Sequence, residues 1–160
     1  MAFTTRVSYG ASGQTLTITL TSLADGNSRE STVVDNTSVR AIDALLLVKT
    51  KTTGAAGTNS AIEVYAYGTV DGGTTYPDRV TGTDAAITLD APTQLIRVGT
   101  ISTPGTAVAY FSRPMSIASA FGGILPAKWG VVIKNVSGST LSATAGDHSV
   151  MYQTVSLIME

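Results

Sequence analysis

Residues 14–21 read QTLTITLT, and this stretch decides the fold class. Leu16, Ile18 and Leu20 fall on one parity, and Thr15, Thr17, Thr19 and Thr21 on the other. Period-2 alternation marks a half-buried strand, and threonine suits it because its branched Cβ fits a pleated surface. The outward positions carry hydroxyls rather than charge. Such a face can be desolvated against a neighbour without stripping water from ions. The chain therefore reads as one that packs into or onto an assembly.

Outward from this stretch, turn residues recur roughly every ten positions, the spacing of an all-β sandwich or barrel. Ala24-Asp25-Gly26-Asn27 is a turn, and residues 29–34 are expected to pair back on the first strand as a hairpin. Residues 41–52 contain Leu45, Leu46, Leu47 and Val48 in succession, which predicts a strand buried on both faces that emerges at Lys49-Thr50-Lys51-Thr52. Residues 53–60 form a small-residue loop. Residues 61–69, AIEVYAYGT, return as a strand with Glu63, Tyr65 and Tyr67 on one face. Asp71-Gly72-Gly73 turns the chain, residues 74–84 read as an exposed excursion, and residues 87–89 as a brief strand. Residues 94–101 and 107–113 are expected to form a hairpin around Thr103-Pro104-Gly105. Residues 116–121 are the one helical candidate, too short to organise a fold. WGVVIKN at 129–135 is a strong strand, and residues 140–144 and 149–158 supply the last pairing. The expectation is an all-β, two-sheet antiparallel β-sandwich, jelly-roll-like, with at most one short helix. Residues 1–14 are expected as an extended N-terminal arm and residues 15–160 as one domain.

Composition narrows the function classes. Charged residues make up 13% of the 160 and the net charge is −1, about half the usual charge content of a soluble domain. A nucleic-acid partner is not expected, because phosphate neutralisation needs clustered Lys and Arg. Cysteine is absent, so thiolate nucleophiles, disulfides and the common structural zinc sites are absent with it. No basic stretch followed by an apolar one opens the chain, and no apolar run approaches the roughly 20 residues of a membrane span.

Candidate chemistry is thin. His148 has Ser149 beside it in sequence, but neighbours on a strand point to opposite faces and do not make a nucleophile–base pair. Asp71, Asp78, Asp84 and Asp90 crowd a glycine-containing stretch where a calcium site is conceivable, yet the twelve-residue loop spacing is missing and Asp is an ordinary turn residue. Glu30, Glu63 and Glu160 have no spacing that singles out an acid and a nucleophile. The glycines at 54–57 and 122–123 lack the Lys-Ser/Thr of a phosphate loop. No enzyme activity, cofactor or metal is expected. Tyr65 and Tyr67, with Tyr76 and Trp129 nearby, form a candidate interface or glycan platform; the plainer reading is a sheet face stabilised by aromatic pairs and half covered by residues 74–84.

Two segments carry a resemblance: AFGGILPAKWG at 120–130, running into residues 131–135 and Ser137-Gly138, and YAYGTVDGG at 65–73. Together they resemble small virion proteins of tailed bacteriophages, encoded among head and tail structural genes, and the similarity runs from about Ser22 onward. The resemblance implies a β-sandwich that assembles on the particle, most simply a capsid decoration protein bridging major capsid subunits, located on virions built in the host cytoplasm. Its partners would be other virion proteins and its own copies, a trimer at a local threefold among the closed forms. A tail or tail-tip component and a glycan-binding module stand as alternatives. A long fibre is disfavoured, since the chain has no heptad stretch. Residues 1–14 and 74–84 are the expected contact regions.

Overall fold

The computed structural model describes residues 4–54, 57 and 60–160. Ala55, Ala56, Thr58 and Asn59 of the small-residue loop lie outside the described residues. Strands run at Thr5–Tyr9 (β1), Gln14–Thr15 (β2), Ser28–Glu30 (β3), Val34–Asp35 (β4), Asp43–Lys51 (β5) and Ala61–Thr69 (β6). They continue at Ala85–Ile87 (β7), Ile96–Ser102 (β8), Ala109–Phe111 (β9), Met115–Ser116 (β10), Lys128–Val136 (β11) and Ser149–Met159 (β12). Short 3-10 turns lie at Pro77–Arg79, Ala118–Phe121 and Ala145–Asp147, the second of them in the expected helical stretch.

Two antiparallel sheets pack face to face. The first has the order β1-β12-β5-β10, with β2 also on β12 and β9 also on β5; the second has the order β7-β3-β11-β6-β8, with β4 also on β11. If β1/β2, β3/β4 and β9/β10 are taken as interrupted strands, the chain passes between the sheets in the sequence of a jelly roll, and β7 is an added edge strand. One end of the sandwich carries the connections 36–42, 70–84 and 117–127 together with the start of β1 and the end of β12. The opposite end carries 16–27, 52–54, 103–108 and 137–148.

The main core lies between the sheets. Leu46 and Val48 from β5, Ile62 and Val64 from β6, and Trp129, Val131 and Ile133 from β11 are fully buried there. A smaller core covers the outer face of the second sheet, where Tyr67, Val80, Leu95 and Val132 are buried beneath Tyr76, Ile87 and Leu89. The lid of this second core comes from residues 74–84, so that segment is not the exposed excursion its polarity suggested. Glu30 holds it in place: its buried carboxylate accepts hydrogen bonds from the Thr81 amide (2.8 Å), the Thr81 hydroxyl (2.9 Å) and the Gly82 amide (3.0 Å).

Several sequence expectations are corrected by long-range pairing. Residues 14–21 bury Leu16 and Leu20 as the alternation requires, but only Gln14–Thr15 joins a ladder, on β12. Beyond it the segment crosses to the second sheet, where Thr17 O accepts from the Thr32 amide and the Thr19 amide donates to Asp84. No hairpin forms with residues 29–34, because β3 and β4 both pair with β11. The 94–113 hairpin is absent as well: β8 pairs with β6 and β9 with β5, so residues 103–108 pass from one sheet to the other. Strand β5 buries only one face, with Leu46 and Val48 in the core while Leu45 and Leu47 stay half-buried outside. Thr5–Tyr9, within the expected arm, is hydrogen-bonded along β12 as an edge strand of the first sheet.

Candidate functional site

The four aromatic residues singled out in the sequence do not share a surface. Trp129 lies on the inner face of β11, fully buried and edge-on to Tyr152 with ring centroids 5.2 Å apart, and its indole N–H has no partner among the described residues. Tyr67 lies on the outer face of β6 over Gly130, with its hydroxyl donating to Ser31 O at 2.6 Å. Tyr76 closes over it at 5.4 Å with the rings at 87°. Burial pushes the Tyr67 hydroxyl well above the ordinary tyrosine value. Tyr65 is half-buried and donates to Glu63 at 2.8 Å, and Glu63 in turn accepts from Arg97 at 2.5 Å. Burial first, and the Glu63 carboxylate second, push the Tyr65 hydroxyl up to about 12. A glycan platform needs open ring faces; Tyr67 and Trp129 present none, which corrects the grouping of these residues as one platform.

Each acid of the 71–90 stretch has its own local partners. Asp71 accepts from the Thr69 hydroxyl (2.5 Å) and from the amides of Gly73, Thr74 and Thr75, and these bonds hold its pKa far below the carboxylate range. Buried Asp78 accepts from the Thr93 hydroxyl and the Gln94 amide. Asp84 pairs with Arg29 at 2.5 Å, and Asp90 pairs with Arg79. Among the described residues no group of three or more His, Asp or Glu side chains converges as a metal site.

His148 is held at both ring nitrogens. Nδ1 lies 3.1 Å from the Thr50 hydroxyl and Nε2 2.9 Å from Ser142 O. The carbonyl can only accept, so Nε2 carries a proton, and in the neutral ring Nδ1 accepts from Thr50. A ring committed in this way has no free nitrogen for a nucleophile. Ser142 donates to Asp147 at 2.6 Å rather than to the histidine.

The feature that sequence reasoning missed is the outer face of the first sheet. Parity along the strands sets Val7 and Tyr9 from β1 there, beside Met151, Val155, Leu157 and Met159 from β12 and Leu45 and Leu47 from β5. An apolar groove of about 280 Å³ crosses this face, lined by Leu45, Leu47, Pro114 and Met151 among others. The charged residues that β5 carries on this parity sit at its ends and are engaged elsewhere. Asp43 accepts from the Ala44 and Ala118 amides, Lys49 reaches Gly146 O, and Lys51 reaches Asp147. Towards the termini the β1–β12 ribbon runs past the start of β5, and Val7, Leu157, Ile158 and Met159 are all exposed there. Val39 and Ile124, also exposed, sit in loops at the same end. A signal for this face was present in residues 45–48, whose apolar side chains occupy both parities; one parity meets the core and the other meets solvent.

Comparison with protein-family models, curated proteins and solved structures returned no match to this chain.

Proposed function

We propose that this jelly roll is a non-enzymatic structural protein of a tailed-phage virion, a capsid decoration protein that docks through the outer face of its first sheet. The observation that carries the reading is that face: apolar and grooved, with no charged side chain on the outward parity of β1 or β12, nor on that of β5 between Asp43 and Lys49. A contiguous apolar surface on a folded domain marks a place where another surface is meant to sit. Desolvating Leu45, Leu47, Met151 and Val155 against a capsid subunit gains about 25 cal/mol per Å² of apolar area, with no ion to strip of water. The virion assignment itself rests on the resemblance of residues 65–73 and 120–138. The fold adds a surface suited to assembly.

The test is sedimentation of the purified chain with undecorated capsids of the phage that encodes it. Co-sedimentation at a fixed ratio to the major capsid protein is the expected result. Leu47→Asp and Met151→Lys, each confirmed folded by circular dichroism, should stay in the supernatant. If the wild-type chain stays there too, head decoration is wrong and a tail location takes its place.

A further inference from the structure

We propose that the protein closes into a twofold dimer by pairing its edge strand β1 with β1 of a second copy. The inference concerns self-association alone and stands or falls separately from the capsid reading.

Among the described residues, three edges of the two sheets are protected and one is not. On the far side of the first sheet, β9 and β10 are short and separated by Ser112-Arg113-Pro114. In the second sheet β7 has three residues, and β8 pairs with β6 through a bulge at Val64/Tyr65 and carries Arg97. Short strands, prolines, bulges and charges are the usual devices that keep an edge from pairing. β1 has none of them except Arg6, which is occupied by an ion pair with Glu160. It is five residues long, TRVSY, and regular along β12.

The register of β1 on β12 determines which backbone groups are left open. Thr4 and Glu160 exchange both of their bonds at 3.0 Å, and the Gly10 amide donates to Thr154 O at 2.9 Å. Even-numbered residues therefore face β12, and Thr5, Val7 and Tyr9 turn their N–H and C=O groups outward. Antiparallel pairing about a twofold axis through Val7 matches these groups one to one. Val7 exchanges both bonds with the partner's Val7, and Thr5 does the same with the partner's Tyr9. No open donor or acceptor of these three residues is left over.

Side chains fit the same register. Val7 meets the partner's Val7 and Tyr9 lies beside the partner's Thr5, all on the outer face, which is the kind of cross-strand pair that stabilises sheets. Arg6 falls opposite the partner's Ser8, so the two arginines never face each other. Because the axis is perpendicular to the sheet, the apolar outer faces of both copies point to the same side and become continuous. The ribbon of β1 and the end of β12, a two-stranded element that is marginal by itself, becomes the centre of a wide sheet. Pairing of five residues gives a small interface, below the roughly 1,200 Å² of stable complexes, so dimerisation is expected at micromolar concentration.

The experiment is sedimentation-equilibrium measurement of mass across micromolar concentrations. Wild-type protein should shift from the 16.4 kDa chain to twice that mass. Val7→Pro removes an amide that faces only the open edge, where proline is tolerated in the monomer; it should weaken dimerisation at least about a hundredfold while circular dichroism is unchanged. Val7→Lys and Val7→Glu should each be monomeric alone and form a heterodimer when mixed, a result that only a Val7–Val7 contact explains. A wild-type chain that remains at 16.4 kDa up to about 500 µM, a trimer, or a Val7→Lys variant as dimeric as wild type overturns the proposal.

Discussion

Adding one methyl group at Gly130 should cost far more stability than the position's place in a regular strand suggests. Gly130 faces Tyr67 across the β11–β6 ladder, and a Cβ there would sit 2.3 Å from the ring's Cζ and Oη and 2.7 Å from Cε1. The ring cannot step aside cheaply. Its hydroxyl is bound to Ser31 O, it packs at right angles to Tyr76, and Val80, Leu95 and Val132 fill the space around it. Overpacking a filled core costs about 1–3 kcal/mol, and loss of the Tyr67–Ser31 bond adds about 1 kcal/mol. Gly130→Ala should therefore cost about 3 kcal/mol, or roughly 10 °C in melting temperature for a domain of this size. The decisive assay is a double-mutant cycle with Tyr67→Leu, which removes the three ring atoms in question. Urea unfolding can be followed by the fluorescence of Trp129, the one tryptophan of the chain, buried in the main core. In the Tyr67→Leu background Gly130→Ala should be neutral or slightly stabilising, because alanine is the better strand residue by about 0.5–1 kcal/mol. A cost that is the same in both backgrounds would refute the steric argument, since coupling of about 3 kcal/mol is what the contact requires.

Two further outcomes follow from the lid of the second core. Glu30→Ala leaves the Thr81 and Gly82 amides without their acceptor; the expected cost is about 3 kcal/mol, with faster amide exchange at those two residues, and an unchanged melting temperature would remove Glu30 from its bracing role. Acid should weaken the protein through Asp78 and Asp84: burial alone would raise both, but hydrogen bonds from Thr93 and Gln94 to the first, and from Arg29 and Thr19 to the second, outweigh it and leave each below the ordinary 3.8. The unfolded chain then binds more protons than the native one, so this stability is present above about pH 4 and is lost as pH falls through the lower native values. Melting temperature measured from pH 7 to 2 should drop only at the acid end, Asp84→Asn should flatten that drop, and a melting temperature that rose on acidification would contradict the sign.

Legibility followed the range of the interactions involved. The strands at 43–51, 61–69 and 128–136 were readable because alternation and β-branched residues are local properties, and the short turn at 118–121 was readable for the same reason. The two expected hairpins failed because a pattern of period two names the buried face of a strand and is silent on its partner. Thr17 and Thr19 satisfy their backbone with Thr32 and Asp84, and β8 and β9 diverge to different sheets; each choice depends on residues tens of positions away. The candidate aromatic site suffered in the same way. Parity set Tyr65 and Tyr67 on one face correctly, but whether that face is open depends on Glu30 drawing residues 81–82 across it.

By itself the sequence determined an all-β fold of low charge, without cysteine chemistry and with an apolar parity of its strands turned inward, because these properties depend only on composition and on neighbours a few residues apart. The tertiary structure alone decided which strands pair, that Trp129 and Tyr67 are core rather than platform, and that one sheet keeps an apolar outer face and an open edge. Those outcomes depend on which distant segment reaches a surface first and covers it. Residues 74–84 cover the second sheet; among the described residues no segment of the chain covers the first.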